Sequence, residues 1–143
     1  MCCGRQYLSV FTDDAIIDYS SSGGAKGTRD KVADWMQKTF RIFSRSQHMI
    51  SNFRFEIDEL NNATVRCYLF NPMTFNWVLP APFFYCGGSY IVKLRRVAAS
   101  EGAQVWRIYH LDQDMMYNTV GITIVALLLA ITFGVLLLML QLQ

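Results

Sequence analysis

Two histidines, His48 and His110, are the side chains best suited to move a proton near neutral pH, because an unperturbed imidazole titrates there. His48 stands in Ser46-Gln47-His48, at the start of a strand-like run. In that position a histidine serves either as a base in a pocket or as a bonded structural residue. His110 lies inside a later strand-like run and reads as packing or surface. Tyr19 offers a phenol that can donate from a pocket wall. Asp18 precedes it, so a strand would point that carboxylate to the other face. The four cysteines, Cys2, Cys3, Cys67 and Cys86, have no CxxC or Cys/His ligand spacing, so no metal site is expected. Cys67 and Cys86 read as reduced core or cavity residues.

The elements that must position these groups follow from periodicity. Tyr7 to Phe11 reads as the last turn of a helix, and Ala15 to Tyr19 as a short strand. Ser20 to Gly27 is a Ser/Gly loop. Thr28 can cap the next helix, with Asp30 near its positive end. Val32, Trp35, Met36, Phe40 and Phe43 recur at helical spacing, which predicts an amphipathic helix from Arg29 to Phe43 lying on a sheet. Gln47 to Ile57 reads as a long strand. His48 and Ile50 have opposite parity to Phe53, Phe55 and Ile57, so a bulge is expected near Ser51-Asn52. Asp58 to Asn62 turns, and Ala63 to Phe70 returns as a strand. Asn71 to Pro82, with three prolines, reads as an irregular loop or lid. Its aromatic neighbourhood (Phe75, Trp77, Phe83, Phe84, Tyr85) could line a pocket, plug the fold or touch a bilayer. Gly88 to Val97 and Gln104 to Met116 complete the strands. The class is α+β: a curved antiparallel sheet with a helix in its concave side.

The tail differs in kind. No residue from Val120 to Leu140 is charged. As a helix this run spans roughly 30 Å, the thickness of a bilayer's hydrocarbon core. The expected organisation is a domain over residues 1–117 and a single transmembrane anchor over residues 118–143. Met1-Cys2-Cys3-Gly4-Arg5 has no apolar run of the secretory kind, and every Lys and Arg precedes the tail. The expectation is therefore a single-pass membrane protein with a cytosolic N-terminal domain. Ala126, Ala130 and Gly134 share one helix face, which suits weak homodimer formation in lipid. The net charge of +2 is dispersed, which argues against nucleic acid as a partner.

Phe11-Thr12-Asp13-Asp14-Ala15 followed by Asp18-Tyr19, Gly27 before the helix, Ser46-Gln47-His48 with Asn52 behind it, and Trp106-Arg107-Ile108 with His110 together resemble SnoaL-like domains. That resemblance implies the cone-shaped NTF2-like fold, shared with scytalone dehydratase, ketosteroid isomerase and polyketide cyclases. It implies proton transfer on a small hydrophobic substrate without a cofactor, by isomerisation, dehydration or cyclisation. By similarity to scytalone dehydratase, His48 would be the base and Tyr19 a water-orienting phenol. Trp35, Tyr68 and Cys86 would line the pocket. A non-catalytic module holding a lipophilic ligand or a protein at the membrane is the alternative. The relatives' first helix is represented only by Tyr7 to Phe11, which implies a shortened N-terminus. The dehydratase's second histidine would fall near Gly87-Gly88-Ser89, where this chain has none.

The anchor makes the first prediction. Carbonate washing should leave the full chain in the membrane pellet, and deleting residues 120–143 should release it. Extraction of the intact chain at high pH would exclude an integral anchor.

Overall fold

The structure, a computed structural model, describes residues 4–58, 61–76, 84–99, 103–119 and 131–132. A short helix, α1 (Gly4–Ser9), leads into β1 (Phe11–Asp18). After a 3-10 turn at Ser20–Ser22, β2 (Lys26–Thr28) pairs back on β1, in what the sequence suggests is only loop. Helix α2 (Arg29–Thr39) then starts where Thr28 accepts a hydrogen bond from the Lys31 backbone N–H. Asp30 in the first turn and Lys38 in the last complement the helix dipole. The helical stripe continues only as a 3-10 turn, Phe40–Ile42, so α2 is shorter than its apolar periodicity suggests.

The remaining strands are β3 (Phe43–Ser46), β4 (Met49–Ile57), β5 (Asn62–Phe75), β6 (Phe84–Ala98) and β7 (Gln104–Asn118). The sheet order is β2-β1-β7-β6-β5-β3, with β4 also pairing β5. The long strand expected from Gln47 to Ile57 begins only at Met49, as β4, and β3 is an additional strand ahead of it, separated from it at Gln47-His48 and sharing β5 as neighbour. Asn71 to Phe75, expected as loop, extends β5. Pro72 is tolerated because its backbone faces the gap between β3 and β4, where its carbonyl accepts from the Gln47 N–H. The sheet is not wholly antiparallel: β1 runs parallel to β7, with Ile17 beside Leu111.

Residues paired across a ladder share a face. Phe55 pairs Val65, Val65 pairs Val92, Val92 pairs Leu111, and Leu111 pairs Ile17. This row marks the concave face. Ile50 pairs Leu69 and Cys67 pairs Tyr90 on the same side. The β4 register shifts between Ser51 and Arg54, and Asn52 has φ 55°. This is the expected bulge, and it brings Ile50 to the same face as Phe55. Val32 of α2 is wholly buried against Phe11, Ala15, Ile17, Cys67, Leu69, Tyr90 and Leu111.

Among the described residues no helix is long and apolar enough to cross a membrane. The expected anchor lies outside the described residues except for Ile131 and Thr132, which are helical.

Face assignment on β1 is directly testable. Ile17→Ala, in the fully buried position, should cost about 2–5 kcal/mol in denaturant unfolding. Ile16→Ala, on the opposite and part-exposed face, should cost less than about 1 kcal/mol.

Candidate functional site

Tyr19 follows the last residue of β1, and its backbone is locked there. Its N–H donates to the Ala25 carbonyl, and its carbonyl accepts from the N–H groups of Ser22 and Gly24. Its ring stacks on Trp35 of α2 at 6.2 Å and meets Tyr90 edge-on at 6.4 Å. A glycine is required beside this stack. A Cβ on Gly24 would stand 2.7 Å from Tyr19 Cβ and 2.8 Å from Trp35 Cη2.

His48 comes from the break between β3 and β4. Its ring lies nearly parallel to Tyr90, 6.3 Å away, with Nε2 3.1 Å from Tyr90 Oη. The residue as a whole is exposed, whereas Tyr90 is 8% exposed. The imidazole therefore bridges the mouth of the concave face and its interior. Tyr7 of α1 packs on Phe11 at 4.9 Å. The Tyr7 hydroxyl is buried and no hydrogen bond of normal geometry satisfies it. Tyr19 is near enough to influence its titration, but the two hydroxyls are not a well-formed bond.

Burial sets the protonation of this group. It raises the phenols of Tyr7, Tyr19 and Tyr90. The neighbouring phenols Tyr19 and Tyr90 add to the rise at Tyr7, and Tyr19 with Cys86 and Cys67 to that at Tyr90. Burial likewise lowers the His48 imidazole below its ordinary 6.5. At neutral pH all four groups are uncharged: three O–H donors and one imidazole with a basic nitrogen.

The Arg29 guanidinium, at the start of α2, donates to the carbonyl of Phe11, the residue on which Tyr7 packs, whereas Asp18, Lys26, His110 and Asp112 lie on the other face. Lys26 Nζ is 2.6 Å from Asp18, which also accepts from Ser20 and is held well below the usual carboxylate range. His110 Nε2 is 2.8 Å from Asp112, and Asp112 pairs Asp18 in register. Among the described residues no group of three His, Cys, Asp or Glu side chains converges as a metal site.

A profile of the SnoaL-like domain matches residues 5–112. The chain belongs to the SnoaL-like family. An uncharacterised protein of Mycobacterium tuberculosis is 39% identical to it over 66 residues, 46% of this chain and 44% of that protein. The match thus spans less than half the length of the curated relative. The SnoaL-like fold is also that of a candidate scytalone dehydratase from Novosphingobium aromaticivorans. That structure has TM-score 0.66 and 17% identity, with 81% of this chain and 72% of that one covered. A hexachlorocyclohexane dehydrochlorinase, LinA-type3 from Novosphingobium barchaimii, has TM-score 0.63 and 16% identity, covering 81% and 75%. An NTF2-like protein from Rhodospirillum rubrum has TM-score 0.59 and 10% identity, covering 80% and 85%.

In the SnoaL-like chain, the residues singled out from the sequence separate into two groups. His48, Tyr19 and Trp35 converge around Tyr90. Cys86 is 4% exposed and lies behind Tyr90, with its thiol 3.7 Å from the Asn71 carbonyl. Tyr68, expected in the pocket wall, faces outward at 52% exposure, because it pairs Ser51 and Ser89 on the convex side. Tyr90 and Tyr7 are the residues that sequence reading misses. Tyr90 has the parity of Cys86, which is the available signal. Position 88 has no room for the dehydratase's second histidine. A Cβ there would stand 2.1 Å from the Asp114 carbonyl oxygen and 3.0 Å from Met115 Cα.

The lowered imidazole has a consequence for stability. The unfolded chain takes up a proton at His48 below about pH 6.5, while the folded chain resists it. Folding is therefore weakened as pH falls from 6.5 through the folded-state value. Thermal melts of His48→Gln should lose less stability over that interval than the unsubstituted chain. Equal slopes would place His48 in a solvated environment.

Proposed function

We propose that this chain is a membrane-tethered proton-transfer enzyme acting on a small hydrophobic substrate that carries a carbonyl or other polar oxygen. The observation that carries the reading is the His48–Tyr90 pair, 3.1 Å apart at the mouth of a phenol-lined concave face. With the Nε2–H donating to Tyr90 Oη, Nδ1 is free to take a proton next to the carbonyl. The Tyr90 hydroxyl proton is then free to meet the oxygen on which charge develops. Tyr19 and the unsatisfied Tyr7 hydroxyl supply further donors. Their low polarity and neutral state suit an uncharged, lipophilic substrate. The dehydratase and dehydrochlorinase named among the structural neighbours support this class of chemistry by analogy of fold. The apolar tail would hold the domain at a bilayer, where lipophilic substrates concentrate.

A non-catalytic lipophilic-ligand module is the second reading. It is favoured by the absence of a described carboxylate hydrogen-bonded to His48. The two readings separate in one experiment, with 2-tetralone as the probe in deuterium oxide. An enzyme should accelerate deuterium uptake at the ketone's α-carbon. His48→Ala should lower that rate by about 10²-fold or more, and Tyr90→Phe by about 10-fold. Saturable binding with no acceleration would select the binding module. Acceleration unchanged by His48→Ala would remove His48 as the base.

A further inference from the structure

Among the described residues strand β4 has one neighbouring strand. It pairs β5 along Met49 to Ile57, and no described strand occupies its other edge. Past the bulge its concave-face side chains are Phe53, Phe55 and Ile57, exposed at 55%, 63% and 69%. Phe53 and Phe55 stack on each other at 6.0 Å, outside the buried core. Between them on the convex face stand Arg54 and Glu56, both exposed. Neither side chain takes part in the ion pairs found among the described residues. A free edge with an apolar row on one face is a template for another strand.

We propose that this edge binds the same edge of a second copy of the chain, antiparallel and centred on Phe55. The sequence Phe53-Arg54-Phe55-Glu56-Ile57 is self-complementary in that register. With the two-fold axis at Phe55, Phe55 faces Phe55 of the partner subunit. Phe53 faces Ile57 of the partner subunit, so the apolar face continues across the joint. Arg54 faces Glu56 of the partner subunit, and the symmetry makes that pair twice. A shift of one residue would set Arg54 and Glu56 against apolar side chains and turn Phe53 and Phe55 to the partner's charged face. The charges therefore fix both the orientation and the register. The exposed aromatic row, which lies outside the core of one chain, gains lateral contacts with the same row of the partner subunit.

Charge exchange tests this in the full chain in detergent micelles, read by sedimentation equilibrium. The unsubstituted chain should show a concentration-dependent dimer. Arg54→Glu and Glu56→Arg should each weaken it by 10-fold or more, since each puts like charges opposite one another twice. An equimolar mixture of the two variants should dimerise again, because both cross-strand pairs are then opposite in charge. Phe55→Lys should abolish the dimer while the monomer still folds, since Phe55 lies outside the core; its melting temperature should no longer depend on concentration. Gly134→Leu, in the tail, should leave it intact. A monomeric unsubstituted chain, single variants that still dimerise, a mixture that stays monomeric, or loss of the dimer in Gly134→Leu would each overturn the proposal.

Discussion

Between Ser51 and Arg54 the β4 ladder holds one residue more than β5 opposite it, and Asn52 takes the left-handed backbone that this requires. Asparagine visits that region at less cost than most residues, through its short polar side chain. The extra residue exchanges the faces of the strand. Ile50 before it and Phe55 after it both look into the concavity, although their parities differ. A regular strand in the register of Phe55 would turn Ile50 outward and carry the segment entering it, with His48, away from Tyr90. The same bulge therefore sets the reach of His48 to Tyr90 and places Phe53, Phe55 and Ile57 together along the free edge.

The two faces of the sheet carry different polar groups. The ion pair Asp18–Lys26 and the hydrogen-bonded pair His110–Asp112 stand on the convex side, in a solvated setting where they contribute little to stability. The concave side holds Tyr7, Tyr19, Tyr90 and His48, and burial moves each toward its neutral form. Such a surface suits the lipophilic, oxygen-bearing substrate proposed for it. It also keeps a weak base next to weak acids without an ion between them. That is the electrostatic setting in which a neutral imidazole and a phenol can act on one substrate from two directions.

Much of this was legible in the chain. The Thr28 cap, the apolar stripe of α2 and the parity change at Ser51-Asn52 each have a local physical cause, so local reading found them. The parallel contact of β1 with β7 joins residues nearly a hundred positions apart and leaves no local mark. Pro72 hid the length of β5, because proline normally ends a ladder; only the break between β3 and β4 makes its missing N–H harmless. Tyr68 faces away from the pocket wall in which the resemblance sets it. Its parity with Arg66, exposed on the same strand, pointed outward. Tyr90 was passed over as an ordinary strand residue, although it shares parity with Cys86 and carries the hydroxyl that meets His48.

The central claim is that a neutral His48 donates an Nε2–H hydrogen bond to Tyr90 Oη and keeps Nδ1 free. Nitrogen-15 NMR of the ring-labelled full chain in detergent micelles reads this state directly at pH 7. The account requires a neutral His48 ring with hydrogen on Nε2, and a shift of the Nε2 resonance when Tyr90 is replaced by phenylalanine. A charged ring, hydrogen on Nδ1, or a spectrum indifferent to Tyr90→Phe would contradict it.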